Sequence, residues 1–477
     1  MRKKGSVTVF LTLILSLLLS LICASIESVR MASARTQILN GMDIGLYSLF
    51  GQYDKELLTD YDLFALDGSR GGGQLDLAAV CDELEAYMNP VLKQNSQKLT
   101  LCQSGLTGYR LLTDQKGEAF YQQIVGYMQE TLGSQGIQLL LGRMSERQEK
   151  TAQADQSANQ AQSKGSIDRY DSEMNQASEK SQQAAEEAQV VPQAPPAKNP
   201  ITIMKRIMKR GVLELVLPGG NGLSTKEIEK GTLVSGRGLQ QGMEMPDGMT
   251  VENSYTSEVL FQQYLMEHLG SYAEPSSTGL AYQVEYIFGG KDSDEDNLKA
   301  VASKLLFIRE GVNFACLMAD NVKRSEAQAL ATAIASGFLV PPAAVIIEAA
   351  LILCWAFAES VLDVRELFAG GRIPLVKSSG DWQISLENLP DLMEGLDSMR
   401  RNDEKGMSYK DYLQVLVLTV SKEKKVMRAM DMIENTIREK GRKNFCMDSC
   451  IVALEAFADV KANKKKDFQV IRQYCYE

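Results

Sequence analysis

Arg2-Lys3-Lys4-Gly5-Ser6, followed by VTVFLTLILSLLLSLICASI over residues 7–26, is the stretch that decides how this chain is organised. At about 1.5 Å per residue, Val7–Ile26 makes a helix of roughly 30 Å, the thickness of a bilayer's hydrocarbon core. No charge interrupts the run until Glu27. The basic residues before it place that end in the cytoplasm by the positive-inside bias, so everything beyond Glu27 is expected outside the membrane. The competing reading is a cleaved signal peptide, whose apolar core usually spans about 7–15 residues. This run is longer, and cleavage after Ala24 would leave Ile22 where a small residue belongs. A retained single-pass anchor over residues 6–28 is the expectation. Ile26, Val29, Ile38, Leu39, Met42, Leu46, Leu49 and Phe50 keep helical spacing beyond it, with no Pro and no Gly between Gly5 and Gly41. The anchor therefore reads as the first half of a longer helix extending to about Leu58.

Thr8, Thr12, Ser16, Ser20, Ala24 and Ser28 recur at every fourth position inside that helix. Four residues advance about 400°, so the row winds into a ridge along which a second helix can approach closely in lipid. The alternative is that the hydroxyls bond back to the carbonyl four residues earlier. The order RKKGSVTVFLTLILSLLLSL, residues 2–21, resembles the N-terminus of TadE/TadG-like pilus-assembly proteins. That resemblance covers about sixty residues and implies a peptidase cut between Gly5 and Ser6. It departs from the pilin pattern at Phe10, where glutamate is usual. The segments DYDLFALDG, YQVEYIFGGKDSDEDNLKAV and CWAFAESVLDVRELFAGGRIPLVK, with the closing YCYE, resemble an uncharacterised family of anchored bacterial proteins, which implies no activity.

The expected fold class is α+β: a transmembrane helix continuing into a pilin-like long helix, with mixed strands and helices outside. A basic stub (1–5) and the anchor (6–28) precede a pilin-like α+β module (29–144). A low-complexity linker (145–200) and a helix-rich second module (201–477) follow. In the first module Tyr61–Asp67 reads as a strand, Leu75–Met88 as a helix, Leu99–Leu112 as extended and Glu118–Leu141 as a helix. Gln, Ser, Ala, Glu and Lys dominate 145–200, with no stripe to bury, and VVPQAPPAKNP closes it. This tract is expected to be a mobile linker or an exposed helix.

In the second module Tyr282, Val284, Tyr286 and Phe288 alternate with Gln283 and Glu285, the pattern of a half-buried strand. Ser293, with Asp296 three places on, forms a capping box for a helix continuing through Leu298–Met318. Ala327–Gly337 and Ala343–Leu367 read as a helical hairpin around Pro341 and Pro342. Tyr409–Val420 and Glu423–Lys440 read as another helical pair, and Cys450–Lys461 and Phe468–Tyr476 as pairing strands. The apolar stretch Phe338–Ala358 carries Glu348 within it, which costs about 2.5–3.5 kcal/mol in a bilayer and favours a buried core helix.

The net charge is −10, and because Arg2, Lys3 and Lys4 contribute +3, the remainder carries −13. So acidic a remainder argues against nucleic acid or anionic lipid as the main partner. The expected partners are the membrane and other membrane helices or pilus and secretion components. Eight cysteines, seven of them beyond the anchor and without a CxxC pair, argue against a disulfide framework. The single histidine, His268, precedes Gly270 at a helix end, where an imidazole complements the last carbonyls. One histidine excludes His-rich metal sites, and its expected place at a helix end argues against a Ser-His-Asp triad. Asp292, Asp294 and Asp296 alternate as in a calcium loop, but Asn297 and Ser303 stand where an EF-hand needs Gly and Glu. PGGNGLSTK lacks the phosphate-binding Gly-Lys-Ser/Thr order, and it and GRGLQQG read as loops. Glu348 and Glu359 lie on one helical face, with Arg365 or Arg372 as the expected ion-pair partner. No catalytic, cofactor or metal residues are assigned. The expected function is an anchored structural or assembly protein, with an anchored binding module for a glycan, peptide or protein as the alternative.

Overall fold

The computed structural model describes residues 4–94, 99–164, 176, 200–217, 219, 222–243, 245, 254–337, 343–391, 406–462 and 466–476. From the N-terminus the elements are α1 (Lys4–Phe50), α2 (Lys55–Tyr61), β1 (Leu66–Asp67), α3 (Leu77–Lys93), β2 (Leu99–Leu111) and α4 (Asp114–Lys164). Among the described residues the α-helices that follow are α5 (Pro200–Met208), α6 (Val212–Val216), α7 (Tyr255–His268), α8 (Gln283–Gly289), α9 (Asp294–Ala319), α10 (Asn321–Gly337) and α11 (Ala344–Phe368). The chain closes with β3 (Arg372–Ile373), β4 (Met407–Ser408), α12 (Tyr409–Leu418), α13 (Lys422–Glu439), β5 (Cys450–Ala462) and β6 (Lys466–Cys475). Helix dominates, with some strands. The chain divides into a first unit of Met1–Tyr127, Gly231–Glu252 and Ile433–Glu477, and a second of Met128–Lys230 and Asn253–Met432.

The first unit is built on the second half of α1. Ala34, Ile38, Met42, Leu46, Leu49 and Phe50 are buried there against Val80, Leu84, Met88 and Leu92 of α3. A Cβ at Gly45 would lie 2.7 Å from Met88 Cγ and 3.0 Å from Leu84 Cδ1, so only glycine permits this approach. The helix stops at Phe50, short of the expected Leu58. Asp54 caps a new helix, its Oδ1 accepting from the Glu56 and Leu57 amides at 3.1 Å each, and this satisfies α2 separately. Asp62 then takes a left-handed conformation, φ 52°. Of the strand expected over Tyr61–Asp67, only Leu66–Asp67 remains.

Every strand of the main sheet pairs antiparallel with β5. Strand β2 runs along one edge from Leu99 opposite Ala462 to Leu111 opposite Ile451, with three register shifts. Strand β6 pairs along the other edge, Ala453 opposite Cys475 and Ala462 opposite Lys466. There β1 continues the edge at Ile451 and Cys450. Leu454, Ala456, Ala458, Val460 and Ala462 of β5 are buried in the same core as α1 and α3, while Glu455, Phe457 and Asp459 are half-buried.

The second unit is helical around α9 and α11. Helix α9 starts as expected, with Ser293 accepting from the Asp296 amide at 3.1 Å. Helices α10 and α11 form the expected hairpin; Pro341 and Pro342 lie outside the described residues. The strand expected over Tyr282–Phe288 is instead α8, closed by Gly290 at φ 61°. Gln283, Val284, Glu285, Tyr286 and Ile287 are all buried. With no wet face, alternation along the sequence carries no information about period. Of the tract 145–200, residues 145–164 continue α4 as helix, with Thr151 and Ala154 buried. The rest, except 176 and 200, lies outside the described residues.

Candidate membrane-contact surface

Among the described residues two helices are long and apolar enough to cross a membrane, and burial separates them. None of the most apolar 18-residue stretch of α1 is buried, against 78% of that of α11. Between Val7 and Val29, Phe10, Leu11, Leu13, Leu15, Leu17 and Leu21 are all more than half exposed. The same helix enters the core of the first unit at Ala34. One uninterrupted rod thus has a bare apolar half and a buried half.

Thr8, Thr12, Ser16, Ser20, Ala24 and Ser28 all lie on the exposed half. Thr12, Ser16 and Ser20 donate to the carbonyls of Val9, Leu13 and Leu17 at 2.9, 3.0 and 2.8 Å. Those acceptors lie three residues back, not four. The hydroxyls are satisfied inside the helix, and the ridge presents small surfaces to its surroundings. Gly5 and Ser6 lie in the first turns of α1.

The acids of α11 are held by protein partners. The Arg324 Nε donates to Glu348 Oε1 at 3.2 Å. Lys377 Nζ lies 2.5 Å from both Glu359 Oε1 and Asp363 Oδ1. Asp363 Oδ2 also accepts from Arg309 Nη2 at 2.8 Å and Asn313 Nδ2 at 2.9 Å. Burial would raise the Asp363 carboxyl, but Arg309 and Lys377 together outweigh it and hold it below its ordinary range. The partners expected for the two glutamates, Arg365 and Arg372, serve carbonyls instead, those of Leu217 and Gly406. Arg365 follows Glu359 by six residues, about 600° of helix, which turns it to another face. Lys377 lies beyond the helix, and no local pattern marks it.

The Gly-rich loop around GRGLQQG also does more than its sequence suggests. Arg237 pairs with Glu434 and, at 2.6 Å, with Asp448. Arg438 joins Glu434 at 2.7 Å, and the Gln240 amide donates to Asp448 at 3.0 Å. A Cβ on Gly242 would meet Asp114 Oδ2 and Tyr109 O, which fixes this loop against β2. No local sequence pattern marks Arg237, because its partners are about two hundred residues away.

The remaining sequence candidates resolve into structural roles. His268 Nδ1 lies 3.1 Å from Tyr264 O, and its ring stacks on Tyr264. Asp294 accepts from the Ala281 and Tyr282 amides at 2.9 and 3.0 Å, and Asp292 pairs with Lys230 at 2.9 Å. Lys226 donates to the Ser277 and Gly279 carbonyls at 3.1 and 2.8 Å. All eight cysteines are free thiols. Among the described residues no group of three His, Cys, Asp or Glu could hold a metal ion. In the first unit, Tyr47, Phe50, Phe64, Tyr474 and Tyr476 form an aromatic cluster along β6, with centroids 4.7–6.4 Å apart. Two open depressions flank it.

Residues 192–462 match the family of unknown function DUF5702. The chain belongs to that family. No curated protein and no solved structure matches it. The DUF5702 match includes α5 through β5 and leaves out α1, α3 and β6.

Proposed function

We propose that this chain is a membrane-anchored structural or assembly protein without enzymatic activity, held in a single pass by α1. Its N-terminus lies in the cytoplasm and both units lie outside. The finer reading is a component of a Tad-like pilus or secretion apparatus, supported by the resemblance of residues 2–21. The observation that carries the proposal is the bare half of α1. Burying one large apolar side chain is worth about 1.5–3 kcal/mol, so a run of this length in water is strongly disfavoured. Because the rod continues into the first unit's core, lipid insertion would fix that unit at the bilayer surface.

Carbonate extraction and lipid flotation of cell membranes, followed by N-terminal sequencing, test this reading. The chain should float and resist extraction, and in the pilus reading it should begin at Ser6. Release into the soluble fraction, or a mature start near Ser25, removes it. The aromatic cluster at β6 favours a second reading, an anchored module that binds a glycan, peptide or protein. Retention of Met1–Gly5 together with specific capture of such a ligand would favour it over assembly.

A further inference from the structure

The chain is acidic as a whole, yet the first unit is polarised along α1. Helix α3 runs antiparallel to α1: Gln37 Nε2 donates to Val91 O at 3.0 Å, and Leu92 stands against Gly41. Lys93, at the end of α3, is therefore level with about Arg35. Strand β6, in contrast, runs parallel to α1. Tyr476 OH donates to Phe50 O at 2.6 Å, and Arg472 Nε to Asp43 Oδ1 at 3.0 Å. Stepping back five residues from Arg472 to Asp467 covers about 17 Å, which brings the chain level with about residue 32 of α1. Lys461 stands opposite Asp467 in register. Arg30, Arg35, Lys93 and Lys461 are all exposed. The acids there are Glu27, Asp459 and Asp467, the last 3.7 Å from Lys461. Cations prevail at the end from which the apolar helix emerges.

We propose that this end of the first unit is a docking surface for anionic lipid headgroups. The inference rests on the anchored reading above. The uncharged run ends at Ile26, so headgroups would lie level with about residues 27–35. Each cation named would then lie within about a Debye length of them, roughly 8 Å at physiological salt. An anionic surface attracts such residues, whereas a neutral one leaves them solvated. Anchoring sets the depth of the helix, and the basic collar sets how closely the unit sits on the bilayer.

The test uses the full chain in nanodiscs of neutral phosphatidylcholine, compared with discs enriched in phosphatidylglycerol. Lysines are acylated with a water-soluble ester and counted by mass spectrometry. Lys93 and Lys461 should react about fivefold more slowly in the anionic discs. Lys55, exposed on α2 beyond the other end of α1, should react equally in both. The protection should disappear in about 1 M salt, where the Debye length is near 3 Å. It should also shrink in an Arg30→Glu/Arg35→Glu chain, since both side chains are exposed and no core contact is lost. Equal acylation in the two discs by a chain that does enter them overturns the collar and leaves the anchor standing. A chain that enters neither disc overturns the anchored reading, and the collar with it.

Discussion

Replacing Glu285 with glutamine should change how the second unit responds to pH. Glu285 is fully buried. Its Oε1 accepts from Tyr409 OH at 2.6 Å and from the Tyr272 amide at 2.8 Å, while Oε2 has no hydrogen-bond partner among the described residues. Burial is the largest influence, Asp294 adds repulsion, and the two hydrogen bonds offset only part of it, so the carboxyl is pushed up to about 7. An unfolded glutamate titrates near 4.3. Between those values the folded unit keeps a proton that the unfolded chain gives up, so stability falls as pH rises. It is fully present below about pH 4.3 and levels off above about pH 7. The loss over that window is on the order of 3 kcal/mol. The only two tryptophans, Trp355 and Trp382, both belong to the second unit, so their fluorescence reports its unfolding. Urea titrations across pH 5–8 should give a falling midpoint for the native chain and a flatter profile for Glu285→Gln, with the two chains diverging most at pH 8. Parallel profiles would refute the reasoning.

Other perturbations follow from the same packing. Gly45→Leu drives a side chain into Met88 and Leu84, and should destabilise the first unit by about 1–3 kcal/mol or more, seen as faster hydrogen exchange in β5. Lys377→Met strips Glu359 and Asp363 of a shared buried cation. It should cost about 3–5 kcal/mol in the same urea assay, and Glu359→Gln in that background should recover part of it. Ser16→Leu/Ser20→Leu should weaken crosslinking through Cys23 in membranes without preventing insertion, because leucine adds bulk to the ridge yet favours the bilayer. Unchanged crosslinking would leave α1 a plain anchor.

The elements that were legible are those whose burial is one-sided. The spacing of Leu75, Leu77, Val80, Leu84 and Tyr87 marks α3, of which Val80 and Leu84 are buried, and the cap at Ser293 marks the start of α9. The apolar run of α1 is plain because no charge interrupts it between Val7 and Ile26. Helix α8 was not legible, since residues on every side of it are buried and Glu285 answers to Tyr409 more than a hundred positions away. Strand β5 was recognisable as a strand, but its pairing with β2 was not, because complementarity across about 350 residues leaves no local pattern. A separation of about two hundred residues hid Arg237 from Glu434 and Asp448, and the exit of the chain from α11 hid Lys377 from Glu359. Charged partners inside a core are chosen by the assembled backbone, and their sequence context is that of ordinary loops.

In the proposed reading α1 crosses the membrane once and leaves the folded units outside. Cys102 on β2 and Cys475 at the end of β6 are both exposed thiols of the first unit. A membrane-impermeant maleimide applied to intact, wall-stripped cells measures their side directly. Both should be labelled without permeabilisation, in a chain that stays in the membrane through carbonate extraction. Labelling only after the membrane is opened would contradict it.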